Sequence, residues 1–506
     1  MAAAGFDNER YLAEQSKAIL ERVQQLHNKL YLEFGGKLSY DYHAARVLPG
    51  YDPNVKLRLL QRLGYEVEVI FCVSARDLER GRIRGDFGLT YDVATLKAID
   101  DLRDWGLATS AVVINRFAQE AAAGRLMRKL ATRSIPVYTM APIQGYPANV
   151  DLIVSEDGFG RNPYIPTSKP IVIVTGTGPG SGKMSTCLSQ IYHDHRAGVL
   201  SGFAKFETFP IWNLPLDHPV NLAYEAATAD LGDVNMVDPY HLSAYGVTAI
   251  NYNRDIENFP ILKAMLDRIT QGENGPVYRS PTDMGVNRAA AGIVDDAVVR
   301  EAAAQELIRR YFRYHWEHAL GVERKETVER VELLMQQVGL KETDRPVVQP
   351  ARDAAAQGEA EGRGNKGLFC GAAIQLPSGE VVMGKNSPLL HAASAAILNA
   401  VKALAGIPRE MHLLPSSVVQ NLARLKKDVL GSASESLNAQ EILVALAISA
   451  ATNPAAEAGV ERLRDLKGAE MHLTHLPHQG DQAGLRQLGI NMTTDAQPTS
   501  SGYFLR

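Results

Sequence analysis

The segment PIVIVT, Pro170–Thr175, runs directly into GTGPGSGK and then MSTCLSQIYHDH, and it constrains the fold more than any other stretch of the chain. An almost unbroken apolar run of this length is the mark of a strand covered on both faces, because a strand with one wet face alternates. Gly176, Gly178, Gly180 and Gly182 follow, and glycine lets a backbone turn with positive φ or approach a ligand closely. Beyond them Met184, Cys187, Leu188 and Ile191 recur at helical spacing. A buried strand, a glycine turn and a helix make half of a βαβ unit, and they predict a mainly parallel sheet.

The flanking sequence extends this pattern. Leu30–Phe34, Glu66–Val73, Ser110–Asn115, Ile135–Met140 and Asp151–Ser155 read as strands, while Tyr91–Trp105 and Phe117–Thr132 read as helices. Asp295–Leu320 and Glu323–Val338 carry helical apolar stripes. Pro346–Lys366, dominated by Ala, Gly, Glu and Gln, reads as an exposed linker. After it, Leu368–Leu376 and Glu380–Gly384 flank Pro377-Ser378-Gly379 as a hairpin, and Leu389–Ala405 and Leu437–Ala451 read as helices. The predicted fold is therefore α/β. A mainly parallel sheet domain with a P-loop-like glycine-rich turn occupies residues 1–290, and a helical segment 291–345. A linker follows over 346–366, with a smaller C-terminal α+β domain over 367–506.

Composition limits function. Among 506 residues, 53 Lys and Arg face 57 Asp and Glu, for a net charge of −4, which gives no electrostatic reason to expect nucleic acid as a partner. No apolar run is long enough to span a membrane. The N-terminus mixes Asp7, Glu9, Arg10 and Glu14 with apolar residues and is no signal peptide. The 3 cysteines, Cys72, Cys187 and Cys370, form no CxxC pair, so a reducing, cytoplasmic setting is expected. Self-association is left open.

The chemistry centres on the glycine turn. A helix N-terminus offers unpaired amides and a partial positive charge, and Lys183 adds a full one where terminal phosphates would sit. The spacing departs from GxxxxGK[S/T]: Thr177 stands where the first glycine belongs, and Met184 where a magnesium-binding hydroxyl belongs, with Ser185 and Thr186 one and two places late. The expected phosphate or nucleotide contacts are Gly176, Gly178, Gly180, Ser181, Gly182, Lys183, Ser185 and Thr186. The plainer alternative is a tight βα turn with a solvated lysine. KFETFP, Lys205–Pro210, reads as the next strand, and ligands of open α/β sheets collect at the carboxyl ends of strands, so Lys205, Glu207 and Thr208 are further candidates. Arg254 is a candidate phosphate or carboxylate clamp, or else an ion-pair partner of Asp255 or Glu257.

Other chemistries fit less well. His472, His475 and His478 sit in a proline-containing stretch without a nearby cysteine and do not form the closed set a zinc site needs, so no metal site is expected. Zinc deamination requires H-x-E with a distant P-C-x-x-C, and His391-Ala392-Ala393 lacks the glutamate. Ser181 or Ser185 with Lys183 could be drawn as a peptidase dyad, but residues two apart at a helix start seldom aim together.

GPGSGKMSTCLSQIYH, the following AKFETFPIWNLPLDHPVNLAYEAATADLGDVNMVDPYHL, and INYNRDIENFP closely resemble an uncharacterised bacterial family, domain of unknown function 1846. LEFGGKLSYDYHAARVLPGYDP, GRIRGDFGLTYD, SPTDMGVN and LPSGEVVMGKNSPLL extend the resemblance almost from end to end. It implies a family motif at Gly178–Ser185 and carries no catalytic residues with it. The functional expectation is a protein that binds a small phosphorylated ligand, or a nucleotide with magnesium, as a phosphoryl-transfer or ligase-type enzyme. The alternative is a non-catalytic phosphometabolite-binding or scaffold protein.

Overall fold

The computed structural model describes residues 4–26, 29–84, 88–271, 278–432 and 434–499. Residues 85–87 of the GRIRGDFGLTYD stretch lie outside that set. The chain divides into two compact units, Met1–Ala304 and Gln305–Arg506.

The first unit is built on six parallel strands: β1 Leu30–Phe34, β2 Val67–Ser74, β3 Thr109–Asn115, β4 Val137–Met140, β5 Ile171–Gly176 and β6 Gly202–Phe206. Their order across the sheet is β4-β3-β2-β5-β1-β6. The glycine-turn strand β5 is interior, with Ile171 opposite both Val67 of β2 and Leu30 of β1. Its residues divide between two cores, which is why its sequence does not alternate. Ile171 and Ile173 pack with α1 (Asn8–Gln25), α2 (Val55–Leu63), α3 (Tyr91–Asp104) and α4 (Ala121–Ala131). Val172 and Val174 pack on the other face, with Leu188 and Ile191 of α5 (Lys183–Arg196) and, further along, Phe259 and Leu266 of α6 (Asn253–Ile269). A short hairpin, β7 Asn235–Val237 and β8 Ile250–Tyr252, leads into α6. The chain leaves β2 towards β3 through a helix on the first face, and leaves β5 towards β6 through α5 on the second. Those opposite departures are what right-handed crossovers require, and they put a topological switch point at the carboxyl ends of β2 and β5.

The second unit carries a four-stranded mixed sheet. Its strands are β9 Gly371–Gln375, β10 Val381–Lys385, β11 Glu470–Leu473 and β12 Asn491–Thr494, in the order β10-β9-β11-β12. Only the β11–β12 pair is parallel. Ala372 and Ile374 face a core with Ile397 and Val401 of α8 (Ala392–Ala405) and Leu446 of α9 (Ala439–Ala450). Gly480 and Leu485 of α10 (Gln479–Leu488) are buried beside them. Arg345, fully buried, donates to Glu470 at 2.6 Å, Thr493 at 3.0 Å and the carbonyls of Met471 and Asn491 at 3.3 and 3.1 Å.

Three expectations are corrected. The strand expected at Lys205–Pro210 is Gly202–Phe206, and it ends before Glu207. Pro346–Lys366 is not an exposed linker, because Val348–Ala360 forms a helix, α7, with Ala351, Ala354 and Gly358 buried. Its small residues let it lie close against the sheet: a Cβ on Gly371 of β9 would stand 2.0 Å from the Ala351 carbonyl oxygen. Asp151–Ser155 is not a strand. Asn149 accepts the Leu152 amide and starts one helical turn, Val150–Ile153, whose Ile153 is buried. Over so short an apolar run, the cap decides the conformation.

Candidate functional site

The glycine turn closes over the end of β5 against the end of β2. The Thr177 amide donates to the Cys72 carbonyl at 3.3 Å, and a Cβ on Gly176 would lie 2.5 Å from that same oxygen. Gly180 and Gly182 are left-handed, with φ +73 and +91, and Gly182 is the cap residue of α5. Asn115, at the end of β3, fixes the turn from the side. Its amide nitrogen donates to the Ser181 carbonyl at 2.9 Å and to Thr186 Oγ1 at 3.3 Å. The first amides of α5, from Lys183 onward, precede any intrahelical partner and face the end of the helix.

The expected contact residues separate into two groups. Thr186 is fully buried and its hydroxyl donates to the Gly182 carbonyl at 3.0 Å, so it belongs to the scaffold under the turn. Ser181 and Thr177 are buried too, and neither hydroxyl has a hydrogen-bond partner among the described residues. Lys183 opens α5 at this switch point, with Nζ 3.9 Å from Glu33 Oε1, beyond hydrogen-bond reach. Ser185 lies beside Tyr146, whose hydroxyl burial pushes up to about 12, with the Glu33 charge adding to the effect.

Glu33 joins the turn to a second group of charges. It lies opposite Lys205 on β6. Lys205 Nζ is 2.6 Å from both carboxylate oxygens of Asp255, at the start of α6, and 3.0 Å from Glu207 Oε1. Burial opposes the Lys205 charge, but Asp255 and Glu207 outweigh it and its pKa is raised. Glu207 lies one residue past β6 and packs on Gly35, where a Cβ would meet its Cγ at 2.6 Å. Burial raises the Glu207 carboxyl to about 7 despite Lys205. Arg254 pairs neither with Asp255 nor with Glu257; its Nη2 is 3.4 Å from Asp233, a buried carboxylate. Lys205 has already taken Asp255. Thr208 is buried at the start of the next segment. A series of charged groups thus runs along the carboxyl edge, from Lys183 through Glu33 to Lys205, which sits between Glu207 and Asp255.

Sequence reasoning missed Glu33, Asn115 and Tyr146. The signal for the first two was present: each is a polar residue at or next to the carboxyl end of a mainly apolar strand, LYLEF and SAVVIN. Tyr146 sits in an irregular loop with no such pattern. Among the described residues no group of three or more His, Cys, Asp and Glu could hold a metal ion, and no helix is long and apolar enough to cross a membrane.

A parallel α/β unit with a glycine turn at the divergence of its crossovers, followed by a mixed-sheet unit, defines the class of protein. The chain belongs to the family described as domain of unknown function DUF1846: the N-terminal model matches residues 4–339 and the C-terminal model residues 343–504. It is 50% identical over 501 residues to a UPF0371 protein of Clostridium tetani (strain Massachusetts / E88), covering 99% of each chain. UPF0371 proteins of Clostridium botulinum strains 657 and Langeland match at the same identity and coverage.

Proposed function

We propose that the switch point at the carboxyl edge of the parallel sheet binds a small phosphorylated ligand, nucleotides included, with its phosphate on the P-loop-like turn Gly176–Ser185. One observation carries this reading: the two left-handed glycines deliver the N-terminus of a 14-residue helix, with Lys183 as its first residue, into the gap between diverging crossovers. Lys183 supplies the charge, and the amides at the start of α5 supply donors. Replacing Lys183 by Ala removes a charge-assisted contact of about 1.5–3 kcal/mol. Affinity for phosphate, sulfate and nucleotides, measured by calorimetry, is expected to fall about ten- to a hundredfold. Equal affinity in both proteins, or no anion binding in either, leaves only a tight structural turn.

One further observation favours catalysis over simple retention. Glu207 holds a proton near neutrality beside the Lys205 ammonium, which suits it to exchange a proton with a reacting hydroxyl or amine. With the Thr186 hydroxyl bonded inside the scaffold, Ser185 and Glu207 are the remaining magnesium partners for a nucleotide. A phosphoryl-transfer or ligase-type enzyme then loses turnover in Glu207→Gln while keeping its affinity. Nucleotide binding without magnesium-dependent turnover would favour the non-catalytic reading.

A further inference from the structure

The second unit contains a histidine oriented for chemistry that the parallel-sheet switch point does not use. His391 stands immediately before α8, and its Nδ1 lies 2.6 Å from Oδ2 of Asp481 in α10. Asp481 is buried, and its other oxygen accepts the Ala439 amide at the start of α9 at 2.8 Å. A carboxylate only accepts, so Nδ1 carries a proton, and in the neutral tautomer the lone pair is on Nε2. The side chain retains 23% of its exposure, so the ring is open to a reagent.

The surroundings suit an incoming anion. His391 is the cap residue of a 14-residue helix but makes no side-chain capping bond. The first amide of that helix with a carbonyl partner is that of Ala395, to His391 at 3.0 Å, so the three amides before it are the helix's orphan donors. The ring of His478 stands 5.7 Å from that of His391, nearly perpendicular. Its Nδ1 accepts the Gly480 amide at 3.1 Å, so its Nε2 carries a proton to donate. Burial lowers the His478 pKa and keeps that ring neutral. Cys370, the thiol nearest this carboxylate in effect, is pushed up to about 12 by burial and then by Asp481, which leaves it protonated and unreactive.

We propose that Nε2 of His391 is a phosphoryl acceptor for N-phosphoryl donors, with Asp481 as its positioning residue. In the step, the Nε2 lone pair attacks phosphorus and the N–P bond forms. The donor's P–N bond breaks, and its electron pair leaves with the departing amine. The ring becomes an imidazolium whose Nδ1 proton stays on the hydrogen bond to Asp481, and the carboxylate balances the new charge.

The test uses phosphoramidate on the full chain, with incorporation followed by intact mass and ³¹P NMR and located by peptide mapping. One acid-labile, base-stable phosphoryl group is expected on His391, none in His391→Gln, and unchanged incorporation in His412→Gln, an exposed histidine outside this site. Asp481→Asn should slow incorporation about ten- to a hundredfold, the worth of one charge-assisted hydrogen bond. It should also move the proton between the ring nitrogens of His391 in ¹⁵N spectra, which loss of a merely structural tether would not do. If His391→Gln does not fold, the mapped site in the wild type decides. Absence of label in the wild type, label on other histidines at the same rate, or an unaffected rate in Asp481→Asn overturns the proposal.

Discussion

Alanine substitution at the two ends of α5 separates what a left-handed glycine contributes from what its neighbours demand. Gly198, just past the helix, has φ +76 and open space where a Cβ would sit. Gly198→Ala should therefore lose only the dihedral term, about 1–2 kcal/mol. Gly182 has φ +91, and a Cβ there would stand 2.4 Å from Cγ and 2.6 Å from Nδ2 of Asn115. Asn115 is buried and cannot yield without giving up its bonds to the Ser181 carbonyl and the Thr186 hydroxyl. Stranding those buried groups adds about 1–3 kcal/mol, for a total of about 2–5 kcal/mol. The measurement is urea denaturation in a Trp316→Phe background, so that fluorescence follows Trp105 and Trp212 of the first unit. If Gly182→Ala loses no more than Gly198→Ala, within about 0.5 kcal/mol, packing by Asn115 does not dictate the glycine and the account of the turn fails.

The Glu207 carboxyl, raised from 4.5 to about 7, makes folded-state stability depend on pH. Between those values the unfolded chain ionises first, so stability falls as pH rises through the window, and the gap between Glu207→Gln and wild type should shift in the variant's favour; a pH-independent gap contradicts this. Arg345→Met takes one of two arginines from Glu470, which keeps Arg309 at 2.9 Å, and removes a donor from the Met471 and Asn491 carbonyls, so it should cost about 1–3 kcal/mol in denaturation followed at Trp316. A cost under about 1 kcal/mol would show that the buried network contributes little. Limited trypsin digestion should cut after Arg363, whose side chain is 76% exposed, before Arg352, which is held in α7 by Asp495 at 2.7 Å. First cleavage at Arg352 would restore the linker reading of that segment.

Strands were the legible part of this sequence. PIVIVT declared an interior strand because burial on both faces leaves no polar alternation, while EVEVIFCV declared a strand through β-branched residues at alternate places. The α7 segment was misread because Ala and Gly look like an absence of core, whereas against Gly371 they are what close packing requires. At the site, the glycines and Lys183 announced the turn, but only tertiary structure assigns partners. Thr186 lies one helical turn from the Gly182 carbonyl and bonds to it, and Arg254 reaches Asp233 because its nearer carboxylate is taken. Charge pairing between residues distant in sequence, as between Lys205 and Asp255, has no local signature.

The place of β1 in the sheet also governs the order in which the protein can assemble. Leu30 finds one partner at Ile171 and the other at Gly202, so the strand made first is completed on both sides by strands made much later. At ~5–20 residues per second, the ribosome spends roughly ten to thirty seconds between releasing β1 and finishing β6. Throughout that interval β1 offers two unsatisfied edges, and α1 and α2 lack much of the surface that later buries them. Removing the first 34 residues would not trim an edge of the sheet. It would take out an inner stave and leave β5 and β6 facing one another across a gap with Glu33 missing from it.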